Sequence, residues 1–139
     1  MKLTWERFDH NSLDDALSRS FCLYVFHHPE DGDRPYYIGK AKYFGPNQDK
    51  GYTREARYNA GYVHLVAAML RSGYSLYIAS LGEEHFESAE NYEQELIAQW
   101  NPVRPQKRKE HLRKLVFTEK PWKAGSQQFQ PDAAQEPRR

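Results

Sequence analysis

The stretch "PYYIGKAK", Pro35–Lys42, decides the fold. Tyr36, Tyr37 and Ile38 have strand-forming side chains, and Gly39 marks a point where another group can approach the strand backbone closely. Upstream, "FCLYVF", Phe21–Phe26, is an unbroken apolar and aromatic run of strand length. Between the two runs lie Pro29, Gly32 and Pro35, with Asp31 and Asp33 either side of the glycine, which read as a loop. The two runs therefore pair as an antiparallel hairpin with a long turn.

Around this hairpin the pattern turns helical. In "SLDDALSRS", Ser12 is an N-cap candidate, Asp14 and Asp15 suit the first turn, and Leu13, Ala16 and Leu17 share a face. "YTREARYNAG" reads as a short helix. "YVHLVAAMLRSG" reads as a clearer one, with Val63, Val66, Ala67 and Leu70 on one face and Gly73 as its stop. "YSLYIASL" alternates as a third strand. Leu76, Ile78 and Ser80 fall on one side, and Tyr77, Ala79 and Leu81 on the other. "SAENYEQELIAQW" begins at Ser88, lines its inner face with Tyr92, Leu96, Ile97 and Trp100, and ends at Asn101–Pro102. This order predicts an α/β fold with a small three-stranded antiparallel sheet flanked by helices. Residues 1–20 form a helical lead-in, 21–103 the body, 104–123 a basic segment, and 124–139, nearly without apolar residues, a disordered tail.

The chain has 139 residues, 39% of them hydrophobic, which suits one domain with one modest core. No apolar run is long enough for a membrane span. The polar, acidic start does not read as a secretory signal. Cys22 is the only cysteine, which excludes an internal disulfide and a zinc site built on cysteines, and a reducing, cytoplasmic setting is expected. The net charge of +1 hides strong segregation. Residues 34–81 carry seven Lys/Arg against two acids, 82–99 six acids and no base, and 100–123 eight Lys/Arg against two acids. Basic blocks flanking an acidic one could form a polyanion surface interrupted by a metal-binding spot, but charge alone favours the plainer reading, a solvated helix of exposed glutamates.

Several residues suit phosphate chemistry. Tyr24 and Tyr37 lie on paired strands, Lys40 and Lys42 follow Gly39, and Arg54 and Tyr58 share a helical face. His64 opens the next helix, and Glu93 lies one turn into the last. Phosphodiester hydrolysis needs a base for water, a cation for developing negative charge and a hard metal held by oxygen. One carboxylate suffices for Mg²⁺, which keeps several waters. An arginine fork fits phosphate oxygens, and a phenol acts as a base near neutrality only where cations favour the phenolate. Singly, each residue has an ordinary reading: a core tyrosine, a surface arginine, a helix-start histidine.

In combination they resemble the GIY-YIG nuclease superfamily over roughly Phe21–Pro102. The first motif reads Cys22-Leu23-Tyr24, with cysteine where the family has glycine; the second, Tyr37-Ile38-Gly39, is intact, and "YIGKAK" is close to the excision-repair branch. Arg54 with Tyr58 four residues on, then His64, then Glu93 three residues before Leu96-Ile97, follow the family order. Glu95, displaced by two, is expected to face away, and Pro105 stands where the family closes on asparagine. The resemblance implies a metal-dependent endonuclease that hydrolyses DNA with Mg²⁺ or Mn²⁺ on Glu93. Tyr24, Tyr37, Arg54, Tyr58 and His64 complete its catalytic set. Lys40, Lys42, Arg57, Arg104, Lys107 and Arg108 are assigned to DNA phosphates. The alternatives are a non-cleaving nucleic-acid-binding module and a nuclease subunit that needs a protein partner for targeting.

Overall fold

The structure, a computed structural model, describes residues 2–46, 61–106 and 118–123. The sheet is antiparallel throughout and helices cover it, as the sequence predicts, but it has four strands rather than three. The strands are β1 (Trp5–Phe8), β2 (Ser20–His27), β3 (Tyr37–Tyr43) and β4 (Ser75–Ser80), in the spatial order β1-β4-β2-β3. The helices are α1 (Leu13–Leu17), α2 (Gly61–Arg71) and α3 (Ala89–Trp100). Among the described residues no helix is long and apolar enough to cross a membrane.

The extra strand, "WERF", lies in the predicted helical lead-in and pairs with β4 from Trp5↔Ala79 to Phe8↔Leu76. Four residues with charges at the centre give too short an alternation to read. Trp5 and Phe8 are nonetheless buried, one on each face of the sheet. Ser12 does not cap α1 through its side chain. Its hydroxyl instead accepts from the Asp9 backbone N–H at 2.9 Å, in a capping box that opens a short 3₁₀ turn before the helix.

The central strand β2 pairs with both β3 and β4. Its alternation divides the core. Leu23 and Val25 join Ile38, Tyr77 and Ala79 under Leu96, Ile97 and Trp100 of α3. Cys22 and Phe26 join Leu76 and Ile78 under α1 and the Val66–Leu70 face of α2. Burial pushes the Cys22 thiol up to about 12, so at the position where the resemblance expects glycine stands an inert apolar filler.

β3 is an edge strand, and the chain after α3 returns along it. Val103 and Arg104 N–H groups donate to the Pro35 and Tyr36 carbonyls at 2.8 and 3.0 Å. The Gln106 carboxamide then accepts from Ile38 N–H at 3.0 Å and donates to Ile38 C=O at 2.6 Å. Arg34 donates to the Asn101 and Pro102 carbonyls at 2.8 and 3.0 Å, which fixes where this return begins. A side-chain amide thus satisfies backbone groups that an edge would leave open. Gln106→Ala is expected to lower stability by about 1–3 kcal/mol, two hydrogen bonds' worth, as a shift in the urea midpoint at unchanged slope. Gln106→Glu, which lacks the amide donor, is expected to fall short of the wild type as well.

Residues 118–123 close the other end of the sheet. Trp122 stacks on His27 at 4.6 Å between ring centroids and meets Trp100 edge-on at 5.3 Å. Lys120 Nζ reaches Asp33 at 2.8 Å.

Candidate active site

The second motif is built around a missing side chain. Gly39 pairs directly with Tyr24 across β2 and β3. A Cβ at residue 39 would fall 2.5 Å from the Tyr24 hydroxyl oxygen and 2.8 Å from its Cε2. The phenol therefore lies across the glycine, and any larger residue would evict it. Gly39 is required for space, since its backbone is not left-handed. Tyr37, two residues away and diagonal to Tyr24, brings its ring to 6.1 Å from the Tyr24 ring, inclined by 38°. The two phenols are near enough that Tyr37 makes ionisation of Tyr24 harder. Phe26 and Phe44 meet the Tyr24 ring edge-on at 6.0 and 5.0 Å and hold it in place.

Electrostatics narrows the role of Tyr24. Burial, then the neighbouring Tyr37 phenol, then the Glu93 charge all push its phenol well above the usual range. The idea that nearby cations favour a phenolate does not hold for Tyr24. It stays a neutral hydroxyl at physiological pH.

Glu93 stands one turn into α3, half-buried. Burial raises its pKa above the ordinary 4.5, and Glu90 adds to the rise, while Lys40 and a hydrogen bond from Gln94 pull it down. Helix α3 packs on the Leu23–Val25 face, whereas the two phenols stand on the other. The Glu93 charge is nonetheless felt by Lys40 of β3 and by Tyr24.

Of the remaining expected residues, Arg104 joins the group, its guanidinium carbon 5.1 Å above the Tyr37 ring. Lys42 is exposed beside the Tyr43 ring at 5.6 Å. His64 is not brought in. It is exposed on the opposite flank of α2, in a separate cleft with His10, Asp14 and Arg71. Arg54, Arg57, Tyr58, Lys107 and Arg108 lie outside the described residues, as do the expected short helix over 52–60 and the tail over 124–139.

No family model, curated protein or solved structure matches this chain.

Two features escaped the sequence reading. The first is the Gln106 clamp, whose signal was a carboxamide one residue beyond the position where the resemblance expects asparagine. The second is a groove of about 450 Å³ between the tyrosines and α2, lined by aromatic and aliphatic side chains with Lys40 and Arg104 among them.

A divalent ion here would depend on one carboxylate. Among the described residues no three His, Cys, Asp or Glu side chains converge. Mg²⁺ tolerates so sparse a protein shell because water and substrate phosphate fill the rest. A half-buried carboxylate is a hard oxygen donor, and a cation beside it would offset part of what burial and Glu90 cost the Glu93 charge, as Lys40 already does.

Proposed function

We propose that the protein is a metal-dependent endonuclease of the GIY-YIG kind, acting on DNA phosphodiester bonds. One observation carries this reading. The Tyr24 phenol lies across Gly39 of the Tyr37-Ile38-Gly39 motif, beside the Tyr37 ring and within electrostatic reach of Glu93.

In this reading water attacks phosphorus, the P–O ester bond opposite breaks, the water proton passes to a base and the leaving oxygen acquires a proton. Tyr24, held neutral, orients Tyr37, whose hydroxyl faces the attacking water. Glu93 would hold Mg²⁺ or Mn²⁺, which would supply charge neutralisation at the phosphoryl oxygens. Lys40 and Arg104 draw in the phosphate, and Arg54 serves as the transition-state cation.

A second reading, a module that binds nucleic acid without cutting it, is favoured by the neutral Tyr24, which removes one candidate base. Duplex, flapped and single-stranded DNA incubated with Mg²⁺, Mn²⁺ or EDTA separates the two. Metal-dependent cleavage, suppressed by EDTA, is the expected result. Salt-sensitive binding with no cut product under any metal would establish the second reading instead. Cleavage that appears only when a second protein is added would identify a subunit.

A further inference from the structure

A phosphodiester alone has no use for the groove beside the tyrosines. Phosphate is strongly hydrated and is held by polar and cationic groups, whereas most of this groove is apolar. The Tyr24 and Tyr37 rings lie on its sheet side, and Val66 and Met69 of α2 face them. The helix lip carries Tyr62 and Leu65, at 44% and 59% exposure the only large hydrophobic side chains left open to solvent among the described residues. Tyr62 is fixed by donating its hydroxyl hydrogen to the Phe44 carbonyl. Lys40 and Arg104 add positive charge to this lining. The occupant therefore has a flat apolar part and an anionic part joined at short range. That is the description of a nucleotide whose base has left the helical stack. A base inside a duplex is shielded by its neighbours and cannot enter.

We infer that the groove between β3 and α2 binds an unstacked nucleobase next to the phosphate held by Lys40 and Arg104, so that the preferred DNA carries an unpaired nucleotide at the site of action. This inference rests on the proposed nuclease reading for its substrate. Its own content is the base, not the cut.

The test uses the full chain and a flapped DNA with 2-aminopurine at the unpaired position nearest the junction, beside the same DNA with an abasic residue there. Binding is measured in EDTA, and cleavage in Mg²⁺ and Mn²⁺. The expected result is a change in 2-aminopurine fluorescence on binding and affinity about tenfold higher than for the abasic DNA, the size of one base stacked on aromatic side chains. Leu65→Glu, a change on an exposed helix position, is expected to keep the melting temperature and erase that preference. Equal affinity for the two DNAs, or a preference that survives Leu65→Glu, overturns the inference. Cleavage without base preference removes the groove and leaves the nuclease. Base preference without cleavage under any metal does the reverse. Failure to bind either DNA removes both.

Discussion

Glu93→Gln is expected to abolish cleavage, by at least about 10²–10³-fold, while raising thermal stability at neutral pH. The two halves of this result share a cause. Burial and Glu90 raise the Glu93 pKa above its ordinary 4.5. Between 4.5 and the raised value, the folded protein holds a proton that the unfolded chain has lost. Stability therefore falls as pH rises through that window, and the deficit persists above it. Glutamine removes the buried charge and so the deficit. It also forfeits attraction to Lys40, which offsets part of the gain. The variant should melt above the wild type at pH 7–8 and coincide with it below pH 4.5, and the same variant should lose any rise in melting temperature that Mg²⁺ or Mn²⁺ gives the wild type. A glutamate that merely solvates the surface would show none of these three responses. Retained cleavage in the glutamine variant would remove Glu93 from the mechanism, and a melting temperature lowered at neutral pH would contradict the sign argued for its charge.

Much of this arrangement was legible from side-chain periodicity. The faces read for "YSLYIASL" and "SAENYEQELIAQW" are those found: Leu76 and Ile78 pack towards α1 and α2, and Tyr92, Leu96, Ile97 and Trp100 lie inside. Gly73 ends α2 with φ +98°, as its place predicts. What escaped detection was decided by tertiary pairing. Trp5–Phe8 is a strand only because β4 offers it a free edge. Glu95 was expected to turn away from the site, and the structure adds that it is only 3% exposed, a burial that its sequence neighbours do not announce. His64 has the right sequence position and the wrong helix flank: Tyr62, Leu65, Val66 and Met69 turn to the groove and leave residue 64 on another side. The approach of Tyr24 to Tyr37 depends on strand register, and the reach of the Glu93 charge on a helix packed against the far face. Spacing names such residues without placing them.

Gly39→Ala tests that placement most directly. At an ordinary strand position alanine is preferred to glycine by about 0.5–1 kcal/mol, because glycine has more freedom to lose on folding. Here the opposite sign is expected. The new methyl group would fall 2.5 Å from the Tyr24 hydroxyl oxygen, and the ring would have to leave its edge-on contacts with Phe26 and Phe44 to make room. Overpacking of this kind costs about 1–3 kcal/mol. Whatever way the ring escapes, its place beside Tyr37 is disturbed, and a displacement near 1 Å at a reacting centre lowers turnover by about 10²-fold. The decisive measurement is a double-mutant cycle read by denaturant midpoint. In a Tyr24→Ala background the obstacle is gone, so adding Gly39→Ala should become neutral or stabilising. That reversal of sign can come only from the phenol lying over residue 39. If Gly39→Ala destabilises both backgrounds alike, the glycine serves the backbone, and the tyrosine is not where the mechanism needs it.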